Sequence, residues 1–168
     1  MPPTFEFNEV PLGYFVTFRA YGTWLHGDER GSVDRFHNRY GSPRLPPNKP
    51  WHQYNERTLK RPPVSLGKRR RQVVLEAIQE TCTIRNWDLY TANVRTNHVH
   101  SVLRASSKPE AVRASLKANA TRKLRESGCW LSGKTPWADK GSVKSLWTEK
   151  ALHAAIAYVD EEQGEPLP

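Results

Sequence analysis

Residues 96–105 read TNHVHSVLRA, and how the two histidines of this stretch are read decides the fold. On a β-strand, residues two apart share a face. His98 and His100 therefore point one way and Val99 the other. Val99 suits burial under helices, which turns the histidines to the opposite side of the sheet. Two imidazoles at this spacing can share one divalent metal ion. They do not complete a site, because a third ligand must come from elsewhere. On the pair alone, a solvated strand face without metal stands as the competing reading.

Working outward, Arg95, Thr96 and Asn97 read as a hairpin turn between a strand over Trp87–Val94 and a strand over His98–Arg104. Upstream, Lys68–Arg85 has Val74, Ile78 and Cys82 at four-residue spacing, with Val73 and Ala77 beside them, which predicts a helix. Tyr14–Tyr21 (YFVTFRAY) is aromatic and β-branched and predicts the first strand. Residues 22–66 are rich in glycine and proline and read as a long irregular insertion. Downstream, Ser107 is the expected cap of a helix that starts at Pro109, buries Val112, Leu116, Ala120 and Leu124, and stops at Gly128. A loop over 129–142 leads to a strand over Val143–Trp147. Thr148 then caps a last helix with core face Leu152, Ala155, Ile156 and Val159. The order β-α-β-β-α-β followed by one more helix predicts an α+β, ferredoxin-like antiparallel sheet in one domain over 1–168, with helices on one face and the other face open.

Composition narrows the function class. The net charge is +9 and the pI about 9.8, which favours a polyanionic partner such as nucleic acid. No apolar run approaches the roughly 18 residues of a membrane span, and MPPTFEFNEVPLG lacks the order of a secretory signal. Cys82 and Cys129 form no CxxC motif. Together these predict reduced thiols and a cytoplasmic location.

The last helix carries AIAYVDEEQG. Tyr158 lies off the Leu152/Ile156/Val159 stripe, and at 100° per residue Glu162 lies about 40° from it, Gln163 about 140°. A tyrosine so placed, one turn before a potential ligand, suits nucleophilic attack on a metal-polarised phosphate. A surface tyrosine at a helix end is the plain alternative.

His-apolar-His on a central strand with a tyrosine on a C-terminal helix resembles the HUH single-tyrosine transposases, above all the REP-associated tyrosine transposases and their insertion-sequence relatives. The likeness runs through YFVTFRAYGTWL, NVRTNHVHSVL, LKANATRKLRE, LW and AIAYV. It implies that His98 and His100 bind Mg²⁺ or Mn²⁺. It implies that Tyr158 attacks single-stranded or hairpin DNA, leaving a 5′-phosphotyrosine link and a free 3′-hydroxyl. It also implies a homodimer, in which the tyrosine helix can serve the partner's histidines. The family's third ligand is typically a Gln four residues after the tyrosine. Here Glu162 holds that position and Gln163 follows, so both are candidates. The 22–66 segment is a second departure. It contains His26, Asp28, Asp34 and His37, at no spacing that makes a strong metal motif, and reads as a surface lobe.

Candidate DNA contacts are Arg61, Lys68, Arg69, Arg70 and Arg71, an acid-free cluster whose charge opposes the dipole at a helix start. Arg19, Trp24 and Lys117 complete the set, with Trp24 suited to stacking on unpaired bases. The rival readings are a non-catalytic single-stranded DNA- or RNA-binding module of the same fold, and a metal-dependent phosphoesterase that needs no Tyr158. The RNA-binding version expects aromatic rings on the third strand, where His98, His100 and Val102 stand instead.

Overall fold

The computed structural model describes residues 10–23 and 49–161. Their elements are β1 (Gly13–Arg19), α1 (Lys49–Arg57), α2 (Lys68–Ile84), β2 (Asp88–Val94), β3 (His98–Arg104), α3 (Pro109–Glu126), β4 (Ser142–Leu146) and α4 (Glu149–Glu161). The sheet is antiparallel in the order β2-β3-β1-β4. This is the expected α+β, ferredoxin-like arrangement, with each strand and helix read from sequence present to within two residues at its ends.

The strands sort their side chains by alternation. Tyr14, Val16 and Phe18 of β1, with Val99 and Leu103 of β3, face α2 and α3 in the main core, where Val74, Ala77, Ile78, Leu116, Ala120 and Leu124 meet them. Phe15, Val102 and Leu146 face the other way and pack on Leu152, Ala155 and Val159 of α4. The sheet therefore has helices on both faces, and the second face is not open as the sequence suggested. The apolar stripe of α4 needs a surface to bury, and Phe15, Val102 and Leu146 supply it.

Two further details depart from the sequence reading. Within 22–66, residues 49–57 form helix α1. Lys108 rather than Ser107 is the N-cap of α3, and no side chain caps it. The Ser107 carbonyl instead accepts the Tyr14 hydroxyl at 3.1 Å. Other punctuation works as expected. The Thr148 hydroxyl accepts the Ala151 N–H at 3.1 Å, and Gly128 takes a left-handed φ of 75° after α3. Asn119 ties the two main-core helices by donating to Ala77 O and Thr81 Oγ1, and Glu80 accepts from Arg122 and Lys123 across the same seam. Both cysteines are free. Burial pushes the Cys82 thiol up to about 11. No helix of the described residues is long and apolar enough to cross a membrane.

The segment 129–141 crosses one end of the sheet as a strap. Ala138 N–H donates to Arg19 O and Tyr21 N–H to Pro136 O, while Trp137 is buried edge-on against Phe18. Its carbonyls are held by cationic side chains. Arg61 reaches Thr135 O, Arg70 Cys129 O, Arg113 Gly141 O, and Arg125 Ser132 O. Lys117 Nζ donates to Ala138 O and Lys140 O, both at 2.8 Å. Burial, and then the charge of Arg113, hold the Lys117 ammonium below the usual lysine range. Gly141 closes the strap with φ 129°, where a Cβ would lie 2.5 Å from Thr17 O.

Two stability measurements check this account. Leu116 is fully buried and Leu131 is 89% exposed. Leu116→Ala is expected to lower unfolding free energy by about 2–5 kcal/mol, and Leu131→Ala by less than about 0.5 kcal/mol, in urea titrations. Lys117→Met keeps the stem but strands two carbonyls, and is expected to cost about 1–3 kcal/mol. A cost near zero would show that the strap does not depend on the ammonium.

Candidate active site

β2, β3 and the turn between them position the histidine pair. Arg95 N–H bonds to His98 O at 2.8 Å, closing the turn through Thr96 and Asn97. The turn is anchored from outside. Ala20 N–H donates to Asn97 O at 2.9 Å and Leu66 N–H to Thr96 O at 2.6 Å. His98 then stands opposite Arg19, and His100 opposite Thr17 on β1 and Asn93 on β2.

Both histidines are buried, at 9% and 5% exposure. This excludes a solvated strand face, because α4 covers the His100 end. Their ring centroids are 4.7 Å apart. His98 Nδ1 lies 2.7 Å from Asn97 Oδ1, and His100 Nδ1 2.7 Å from Thr17 Oγ1. An amide oxygen can only accept, so this contact favours the tautomer with the proton on His98 Nδ1. The Thr17 hydroxyl imposes the same tautomer on His100 when it accepts. A neighbouring oxygen on the far nitrogen is how metal-binding imidazoles are commonly oriented. In that tautomer two adjacent imidazoles would offer Nε2 to a divalent cation.

Tyr158 reaches the pair from α4. Its ring meets His100 edge-on at 5.8 Å and Phe15 edge-on at 5.9 Å, and Phe15 stacks on His100 at 5.3 Å with an interplanar angle of 14°. Thus the tyrosine lies beside the histidines of its own chain. The last turn of α4 is held there from β2. Asn93 Nδ2 donates to Val159 O at 3.2 Å, and the Thr91 hydroxyl donates to Asp160 Oδ1. Sequence reading missed Phe15, Thr17, Thr91 and Asn93. Strand alternation could have placed Phe15 and Thr17 on one face of β1, but only the register sets them opposite the histidines.

The remaining site candidates divide. Glu162, Gln163, Trp24, His26, Asp28, Asp34 and His37 lie outside the described residues. Among the described residues, no three His, Cys, Asp or Glu side chains group to hold a metal. Arg19 stands on the histidine face, opposite His98. Lys68 and Arg69 are exposed at the start of α2. Arg61, Arg70, Arg71 and Lys117 are at most partly exposed and bond to backbone carbonyls, Arg71 to Leu66 O at 3.1 Å. Arg61 also lies over the Tyr21 ring at 3.9 Å and Arg70 over Trp130 at 5.4 Å.

Comparison with known proteins bears on this arrangement. The family model described as "Transposase IS200 like" matches residues 57–162, a span holding the histidine hairpin, both main-core helices and Tyr158. No curated protein sequence matches the chain. Among solved structures, one is a REP-associated tyrosine transposase bound to a REP hairpin, at 13% identity and a TM-score of 0.46, covering 88% of this chain and 63% of that one. Another is a protein from Deinococcus radiodurans assigned as a transposase, at 13% identity and a TM-score of 0.45, covering 92% of this chain and 93% of that one. With the family match extending over well more than half of the 168 residues, the chain belongs to the IS200-like transposase family.

Proposed function

We propose that this protein is a single-stranded DNA endonuclease and strand transferase that works through a covalent tyrosine link. The observation that carries the reading is Tyr158 packed edge-on against His100, beside a histidine pair whose Nδ1 atoms both meet oxygen partners. Membership of a transposase family supports it. The proposed partners are single-stranded or hairpin DNA and a second copy of the chain, and the chain is taken as one domain.

His98 and His100 would hold Mg²⁺ or Mn²⁺, with Glu162 or Gln163 as third ligand. A divalent cation held there supplies Lewis-acid polarisation of a phosphate oxygen. The residues do the rest. The Tyr158 oxygen attacks phosphorus as its proton leaves to solvent. The P–O3′ bond breaks, and the 3′-oxygen takes a proton to become a free hydroxyl. The phosphodiester energy is kept in the tyrosine link, so a second 3′-hydroxyl can reverse the step and join a new strand. Asn93 and Thr91 hold the helix end so that the phenol stays near the phosphate. Thr17 and Asn97 keep the imidazoles aimed.

Incubation with labelled hairpin DNA and Mn²⁺, followed by a denaturing gel, tests the reading. A covalent adduct is expected, and it is expected to vanish in Tyr158→Phe. Cutting that survives this change would favour a phosphoesterase without a tyrosine link. Binding with no metal-dependent cutting would favour the non-catalytic module. Thr17→Val is expected to raise the Mn²⁺ concentration for half-maximal adduct about 10–100-fold, the usual cost of losing a group that orients a ligand. In DNA-binding titrations against salt, neutralising Lys68 and Arg69 together should lower the log–log slope by about 1.4. Lys117→Met should leave that slope unchanged, because its ammonium is engaged by the strap.

A further inference from the structure

We propose that the side-chain oxygen of Asn93, on β2, is a further ligand of the divalent cation held by His98 and His100, an inference that rests on the metal reading of that pair given above. The β2–β3 register sets Asn93 opposite His100, and the β1–β3 register sets Thr17 opposite the same histidine. Directly opposed residues project from the same face of a sheet. Thr17, His100 and Asn93 therefore form one row across three strands, on the face that receives α4. Hydrogen bonding gives the row a direction. His100 turns Nδ1 toward β1, 2.7 Å from Thr17 Oγ1. The two nitrogens of an imidazole point outward in different directions, so Nε2 is turned away from β1. Asn93 is the residue that stands opposite His100 on that other side.

The half-buried Asn93 amide is oriented from its nitrogen end. Nδ2 donates to Val159 O at 3.2 Å. A carbonyl oxygen only accepts, so this contact assigns the amide nitrogen to the α4 side. Val159 is in the last turn of α4, where backbone carbonyls lack a partner within the helix. Oδ1 is on the other branch of the same planar amide. One side chain would thus meet both the cation and the helix turn that carries Tyr158.

The ionisable groups of this face do not fill the same role. Among the described residues, no Asp, Glu or Cys joins the two histidines as a third ligand. On α4, Asp160 accepts the Thr91 hydroxyl, and Glu149 and Glu161 are exposed. Arg19, in the row of His98, is a cation. An amide oxygen is a hard, neutral donor of the kind that Mg²⁺ and Mn²⁺ accept. An octahedral ion has room for it beside a ligand from Glu162 or Gln163, with positions left for a phosphate oxygen and water. The plainer role for Asn93 is a tether that only holds the end of α4.

Titration of the full chain with Mn²⁺, the free ion read by electron paramagnetic resonance, separates the two roles without DNA or turnover. Asn93→Asp keeps an oxygen at this position and loses the donor to α4, whereas Asn93→Ala loses both. Asn93→Ala is expected to raise the Mn²⁺ Kd at least about tenfold, the least that loss of an orienting group costs. Asn93→Asp is expected to stay within a few-fold of native or to bind more tightly. Two variants that both match native overturn the proposal, because Asn93 then has no bearing on the metal. Two variants that both lose affinity overturn it as well, because Asn93 then acts only through α4, and so does a loss in Asn93→Asp alone. The His98→Ala/His100→Ala double variant gives the background from surface carboxylates. Native binding no tighter than that background overturns the metal reading of the histidines, and this inference with it. Native protein that binds Mn²⁺ as expected but forms no DNA adduct overturns the strand-transfer reading alone. Circular dichroism and the urea midpoint of each variant confirm that it is folded for the comparison.

Discussion

The contact on which the site depends is the ring of Phe15, stacked on His100 and met edge-on by Tyr158. It joins an inner strand to the final helix. Because Phe15 is on the face away from α2 and α3, it draws the apolar stripe of α4 onto that face, and Tyr158 follows. Area burial of one aromatic ring and its neighbours is worth a few kcal/mol. The same contact thus stabilises the second core and sets the distance between a phenol and an imidazole. Thr91 and Asn93 then fix the helix end where packing alone would let it fray.

The other end of the sheet is organised by polar chemistry. The strap 129–141 carries few internal backbone bonds, so its carbonyls need donors, and long cationic side chains from α2, α3 and the approach to α2 supply them. A substantial part of the excess positive charge is consequently spent on the protein's own backbone. What stays exposed at the α2 start is Lys68 and Arg69, near a turn whose carbonyls anchor Leu66 and Ala20. These bonds link the charged end to the histidine turn, and the strap bonds Arg19, which stands opposite His98.

Much of this was legible in the residues. Alternation in HVHSVL placed Val99 in the core and both histidines opposite it, and the β-α-β-β-α-β order followed from periodicity and turn residues alone. What escaped was long-range. The open face was inferred from a simpler ferredoxin-like plan, but the Leu152/Ala155/Val159 stripe had to bury somewhere, and only the register shows that Phe15, Val102 and Leu146 receive it. The carbonyl partners of Arg61, Arg70 and Lys117 were equally hidden, because a cation's sequence neighbours do not reveal a carbonyl 21 to 74 residues away. Helix α1 was hidden by Pro50 and by its largely polar composition. Thr17 and Asn97, which aim the imidazoles, carry no motif of their own.

The most direct test of the central claim is peptide mass spectrometry on protein incubated with Mn²⁺ and hairpin DNA, then digested with nuclease and protease. The account predicts a residual nucleotide mass on Tyr158 and on no other tyrosine. A nucleotide found on Tyr14, Tyr21, Tyr40, Tyr54 or Tyr90, or DNA cut with no tyrosine modified, would contradict it.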